Sequence, residues 1–298
     1  MKHISPFLWM IAALLLLALI DSLVYAPLFF CKLLVIILIG SSAEWVVRRI
    51  DKKPFKLYGL GTGFAAALLT LSLPASMPFG ALVIGTLFAA WIVKPLFPYL
   101  GVTLNSAMAA RLLLMWLFPA ACTDWALSTD GLTSATPQEF YRAEGIFIPW
   151  TQLCLGRIEG EWLGFYKWIP GSFGSNQPLL LLLIAILFAY KRILNRATAI
   201  SYVLTFGGAQ LIAGLNPLYN LATASSLFAI VFLFSDPYST PKSHWGKIVF
   251  GILIGVGNAF FRLGSYYTEA MVYALLFANL FTPLLNRWLP PRTPQATS

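Results

Sequence analysis

Long apolar runs set the terms for any fold of this chain. "FLWMIAALLLLALI", "LFFCKLLVIILIG" and "PLLLLLIAILFAY" lie in stretches that approach the ~20 residues a helix needs to cross a bilayer. A hydrocarbon environment offers no water to the backbone, so such stretches must satisfy their own N–H and C=O groups, and a helix does this within one segment. Composition agrees: 59% of the 298 residues are hydrophobic and 10% are charged, against about 25% charged in a soluble domain. The chain reads as an all-α polytopic membrane protein, a single transmembrane domain over residues 1–298. Residues 4–20 have the length of a signal sequence. No small-residue cleavage site follows and a second apolar run does, so they read as a retained first helix.

The pattern places about ten helices, near 5–24, 28–47, 57–72, 78–94, 103–120, 178–192, 198–214, 218–234, 246–262 and 267–287. Of the 20 basic residues, 14 fall on one side of that layout: Lys2, Arg48, Arg49, Lys52, Lys53, Lys56, Lys94, Lys191, Arg192, Arg196, Lys242, Lys247, Arg287 and Arg292. The positive-inside rule then puts both termini in the cytoplasm and residues 121–177 outside. This bias accounts for the net charge of +9, and no basic motif suggests a nucleic acid. A long central loop divides the chain into residues 1–120, 121–177 and 178–298, with five helices on either side in opposite orientation. "LSLPASMPFG" and "AGLNPLYN" read as proline-broken helices, which persist at membrane depth only when buried in protein or lining a cavity.

Residues 121–177 are polar, long for a connection, and rich in aromatics such as Tyr141, Phe147, Trp150 and Trp168. These suit an interfacial belt or a planar ring ligand equally. Within them stands "TDGLTSATPQEF", residues 129–140, where Thr133, Ser134 and Thr136 crowd around Ala135. Taken alone this is either a Ser/Thr turn or a presented hydroxyl. Cys31, Cys122 and Cys154 lack metal-ligand spacing, and neither His3 nor His244 sits in a metal or triad pattern, so no metal site is expected. Cys122 and Cys154 could form a disulfide. The Gly-x-Gly of "YGLGTGFAAA" opens a membrane helix and reads as close helix packing.

"DGLTSATP" is similar to the flavinylation motif of the RnfD/NqrB family: the D subunits of Rnf-type electron-transport complexes and the B subunits of sodium-translocating NADH:quinone reductases. Four further segments resemble the family in its order. They are "VKPLFPYLGVTLNSAMAARLLL" with Asn105, Ala107 and Arg111; "GSFGSNQPLLLLLIAILFAYKRILN"; "FLFSDPYSTPKSHWGKIVFGILIG" with Asp236, Pro237 and Pro241; and "RLGSYYTEAMVYALLFANLFTPLLN" with Arg262, Gly264, Glu269 and Asn279. Ser134 where glycine is commoner, and Gly174-Ser175 where Gly-Glu is frequent, depart from the pattern. The short N-terminal region favours the D type.

The resemblance implies two inverted five-helix halves in a urea/ammonium channel-like fold. It also implies FMN joined through its phosphate to Thr136, with Asp130, Ser134 and Ala135 as the rest of the motif, and a second, noncovalent flavin such as riboflavin. The protein would relay electrons between the partner subunits of a complex that couples redox energy to Na+ or H+ movement in a bacterial inner membrane. It would be matured by a flavin transferase and would hold no complete catalytic site of its own. A threonine hydroxyl is a poor nucleophile, so the transferase must activate it. Arg111 and Arg262 are costly at membrane depth and become candidates for a flavin phosphate or a carboxylate, or for helix capping and an ion pair. Asp236 either caps its turn or lines an inner site. A channel for a small neutral solute is the alternative reading, and a flavin-modified anchor of another redox chain is a third.

Overall fold

The computed structural model describes residues 6–24, 27–52, 61–125, 136–145, 147–155, 157–159, 166–168, 171–264 and 270–291. The first part of the chain forms α1 (Pro6–Val24), α2 (Pro27–Ile50), α3 (Gly61–Leu71), α4 (Phe79–Phe88), α5 (Lys94–Tyr99), α6 (Ser106–Leu117) and α7 (Pro119–Thr123). The polar segment contributes α8 (Pro137–Glu144) and α9 (Trp150–Leu155). The remainder forms α10 (Pro178–Tyr190), α11 (Arg196–Ile212), α12 (Pro217–Ala222), α13 (Ser226–Phe228), α14 (His244–Gly264) and α15 (Met271–Trp288). The described residues are predominantly helical, as expected, with one small exception. Strands β1 (Arg157–Glu159) and β2 (Tyr166–Trp168) pair antiparallel, Ile158 opposite Lys167. Both triplets alternate polar and apolar side chains, which is a strand period.

Among the described residues four helical stretches are long and apolar enough to cross a membrane: Pro6–Leu23, Leu28–Ile50, Phe79–Tyr99 and His244–Gly264. Gly61–Leu71, Ser106–Leu117 and Pro178–Tyr190 are apolar but shorter. Phe79–Tyr99 is α4 and α5 joined through a wide π-helical turn, Ala89–Val93, and a second such turn, Ala229–Leu233, extends α13. α2 and α3 approach closely because glycine lines the contact. A Cβ on Gly63 would lie 2.5 Å from Ser41 Oγ, as the Gly-x-Gly of the sequence suggested.

The two expected interruptions are present, the second followed by a further break. Residues 72–78 separate α3 from α4, and the Lys32 ammonium of α2 donates to the carbonyls there, Ala75 O at 3.3 Å and Met77 O. The second falls within "AGLNPLYN", where α11 ends at Ile212 and α12 starts at Pro217. That proline begins α12 behind an Asn216 cap, whose Oδ1 accepts from Tyr219 N at 3.1 Å. A proline at the first helical position loses no hydrogen bond and has its φ preset. The chain breaks again about two turns later, at 223–225, where Ala224 (φ 49°) and Ser225 (φ 62°) are both left-handed. Non-glycine residues held there cost about 1–3 kcal/mol each, so neighbours must impose the conformation. Arg262 of α14 does so: Nη1 donates to Asn220 O and Nη2 to Ala224 O, each at 2.9 Å. Each break is thus closed by a cation from another helix.

Lys32 and Glu44 lie twelve residues apart on α2, about 18 Å at 1.5 Å per residue. They mark the two ends of the bundle. The loop at 72–78 lies at the Lys32 end and is joined there by the 171–177 turn, where Phe173 N donates to Leu73 O at 3.4 Å.

Candidate functional site

Thr136 stands at the Lys32 end, as the N-cap of α8. Its Oγ1 accepts from Glu139 N at 3.3 Å, and the Glu139 carboxylate accepts from Thr136 N at 2.6 Å, a reciprocal capping box. The backbone before Pro137 is extended (φ −69°, ψ 158°), as an X-Pro dipeptide requires. The hydroxyl is nevertheless not held out on an exposed loop: Thr136 is only 7% exposed. The next residues explain why. Gln138 is clasped by α12, its Nε2 donating to Asn220 Oδ1 at 2.8 Å and its Oε1 accepting from Thr223 Oγ1 at 2.6 Å. Tyr219 packs against Tyr141, Phe147 and Trp150 with ring centroids 5.0, 5.2 and 6.1 Å away. Those aromatics therefore anchor the polar segment onto the broken helix.

A cleft beside Thr136 is walled by Ser172, Ser175 and Asn176 of the glycine-serine turn and by Thr223 and Ala224 of the break. Ser172 Oγ lies 2.9 Å from Ser225 Oγ, tying the two walls together. Its volume is about 30 Å³, the scale of one water. The cleft can take ester oxygens but not a flavin ring. A phosphodiester on Thr136 would sit at a helix N-terminus, where backbone N–H groups and the helix dipole favour an anion, while the Glu139 carboxylate opposes it. The residues thus fit a phosphoester on Thr136, and a ring carried by it would lie outside the cleft.

A second polar constellation occupies the Glu44 end. The Glu44 carboxylate accepts from Arg48 Nε at 2.9 Å, Arg48 Nη2 at 2.7 Å and Thr62 N at 2.6 Å, with Lys94 Nζ at 3.4 Å. Beside it, Asp236 accepts from Asn105 Nδ2 at 3.1 Å, Ser239 Oγ at 2.8 Å and Tyr238 N at 3.1 Å. Asn279 completes the group, its Oδ1 accepting from Asn105 N at 2.9 Å and its Nδ2 donating to Ser239 O at 3.0 Å. Glu44, Arg48, Lys94, Asn105 and Asp236 line a cavity of about 690 Å³. Asp236 therefore does both things the sequence left open: it caps its turn and lines a cavity.

The remaining candidates fall as follows. Asp130, Ser134, Ala135 and Glu269 lie outside the described residues. Arg262 is buried one layer behind the cleft, its guanidinium donating to the break and to Ser226 Oγ at 3.0 Å and lying 5.0 Å over the Phe206 ring. Arg111 is buried in α6 within electrostatic reach of Cys122 and does not line the Thr136 cleft. Cys122 and Cys154 are free thiols. Sequence reasoning missed Gln138, Tyr219, Asn220 and Thr223. For Tyr219, Asn220 and Thr223 a signal was present in "NPLYNLAT", whose polar side chains recur three and four residues apart, on one helix face.

The motif residues Asn105, Asp236 and Asn279 come from three distant segments and form one hydrogen-bonded group. The family model described as "NQR2, RnfD, RnfE family" matches residues 4–295. The chain belongs to this family. Among its relatives is the D subunit of the Na(+)-translocating ferredoxin:NAD(+) oxidoreductase complex of Acetobacterium woodii, 30% identical over 265 residues, covering 87% of this chain and 81% of that protein. Another is the D subunit of the ion-translocating oxidoreductase complex of Aeromonas salmonicida, 27% identical over 315 residues, covering 88% and 86%. The family's ordered segments in this chain are thus split between the two polar constellations. "GSFGSN" and Arg262 stand at the Thr136 end, while Asn105, Asp236 and Asn279 stand at the Glu44 end.

Proposed function

We propose that this chain is the membrane subunit of an ion-translocating, redox-driven electron-transport complex, carrying FMN esterified to Thr136 and passing electrons between partner subunits. One observation carries the reading. Within a chain that matches the family over nearly its whole length, the motif threonine caps a helix whose N-terminus faces the family's glycine-serine turn. When bound, the flavin supplies the one- and two-electron chemistry. The chain's own part is to hold the phosphoester at the N-terminus of α8, to fix that helix through Gln138 and Tyr219, and to keep the ring out of the dry cleft. The cavity at the Glu44 end is of ligand size, and a second, noncovalent flavin is assigned to the bundle on the strength of the resemblance. Charged walls there disfavour a neutral-solute channel.

In this reading ten crossings form two inverted five-helix halves in a bacterial inner membrane, of urea/ammonium channel-like fold. Both termini are cytoplasmic, and the Thr136 end is outside, where a flavin transferase modifies it. The two breaks closed by Lys32 and Arg262 support the halves, one on each side of the central segment. A cysteine at exposed Arg142 should react with an impermeant maleimide added to intact cells, and one at Lys52 should not, in a background with Cys31, Cys122 and Cys154 changed to serine. Labelling at Lys52 in sealed cells would invert the orientation.

In this reading electrons enter and leave the flavin through partner subunits, as the relatives' names as subunits of larger complexes suggest. Purified in mild detergent from cells expressing the whole complex, the chain should bring other redox subunits with it. Expressed alone with its transferase, it should carry flavin and show no NADH- or ferredoxin-dependent turnover. Steady turnover by the single chain would overturn the subunit reading.

A further inference from the structure

α1 carries a carboxylate that its apolar pattern does not call for. Asp21 is 1% exposed near the C-terminal end of the helix. Its Oδ1 accepts from Gln177 Nε2 at 2.9 Å, while Oδ2 has no hydrogen-bond partner among the described residues. Two buried donors in the same segments are equally idle: Ser22 Oγ, next in the chain to Asp21, and Asn176 Nδ2, next to Gln177. An unused acceptor on Asp21 and unused donors on its chain neighbour Ser22 and on Asn176, the chain neighbour of Gln177, thus lie in the two segments that the Asp21–Gln177 bond joins.

Among the described residues no cation balances this carboxylate. α3 and the 171–177 turn, both packed against α1, contain no titratable side chain. On α2 the nearest is Cys31, which is exposed. The next is Lys32, whose ammonium is spent on the carbonyls of Ala75 and Met77; Glu44, Arg48 and Arg49 lie at the other end of that helix. α10, which follows Gln177, has none before Tyr190 at its far end. An ionised carboxylate held by one neutral amide in a dry interior is among the most costly arrangements in a protein, and a neutral acid avoids that cost. Gln177 suits both states. Its amide donates to the carboxylate in one orientation and accepts from the acid in the other.

We propose that Asp21 is a proton-binding site at the Lys32 end of the bundle, with Gln177 as the partner of both protonation states. The 171–177 turn registers its occupancy. Loss of the proton leaves Oδ2 charged and calls in the idle donors, Ser22 Oγ and Asn176 Nδ2. Asn176 also walls the Thr136 cleft, so a shift of its side chain changes that wall. The site goes beyond the flavin reading and does not depend on it.

Infrared difference spectroscopy of the full chain in lipid nanodiscs tests it. At neutral pH the spectrum should contain a protonated-carboxyl stretch that disappears in Asp21→Asn and stays when Na+ replaces K+. Gln177→Leu keeps the acid and removes its partner. It should shift the band, which covers the case in which Asp21→Asn fails to fold. Thr136→Ala should leave the band in place, so failure of flavin attachment and failure of this proposal read out separately. The proposal is overturned if Asp21→Asn removes no protonated-carboxyl intensity, if Gln177→Leu leaves the band unshifted, or if Na+ abolishes it, which would make the corner a cation site instead.

Discussion

Thr136→Ala should abolish the covalent flavin outright. Wild-type protein from a flavinylating host is expected to be heavier than its sequence by one FMN less one water, with the adduct on the peptide containing Thr136. The variant should return to the sequence mass and lose its fluorescence in a denaturing gel. The effect is all-or-none because the ester has a single oxygen to form on. The substitution also removes an N-cap, a loss of about 1 kcal/mol, which is too small to unfold the chain and confuse the result. Since Thr136 is buried and its Oγ1 engaged with Glu139, a transferase that modified it would have to act while the first turn of α8 is open. An adduct mapped to Thr133 or Ser134, or fluorescence retained in the variant, would refute the assignment.

Arg262→Leu should produce the largest loss of stability of any single change at this end of the bundle. The leucine fills much of the volume but removes the donor of the Asn220 and Ala224 carbonyls and one of two donors to Ser226 Oγ, which keeps the Tyr202 hydroxyl at 3.2 Å. An orphaned buried polar group costs about 1–3 kcal/mol. Interhelical hydrogen bonds in bilayers average nearer 0.6 kcal/mol, so a loss of about 3 kcal/mol is expected over the three contacts. It would be read as a lowered melting midpoint in detergent. The left-handed pair Ala224 and Ser225 should relax at the same time, loosening Thr223 from Gln138 and with it the seat of α8. An unchanged midpoint would show that the break satisfies itself without the guanidinium.

What could be read from the sequence was whatever is local. Apolar runs, the Asn-Pro start of α12, the Gly-x-Gly contact and the threonine motif all act through neighbours a few residues away, so their meaning survives without coordinates. The break at 223–225 did not declare itself, because Ala224 and Ser225 are ordinary helix residues forced left-handed by an arginine 38 positions on. The capping box was written plainly as Thr136 and Glu139, yet the modification motif drew attention to the hydroxyl's reactivity rather than to its hydrogen bond. Burial of Thr136 depends on Asn220 and Thr223, more than 80 residues away. Asp21 meets Gln177 across 156 residues, a pairing that no periodicity announces.

The wide turns at Ala89–Val93 and Ala229–Leu233 carry a consequence for how this chain tolerates change. Each holds one residue more than an α-helical turn would, and each comes shortly before a charged side chain of the Glu44 cavity, Lys94 in one case and Asp236 in the other. One residue of an α-helix is worth about 100° of rotation. Deleting a single alanine from "FAAW" would barely alter hydropathy or length, yet it would swing Lys94 from its carboxylate toward the lipid. For these two segments the residue count matters more than residue identity: a conservative substitution is absorbed, and a one-residue deletion is not.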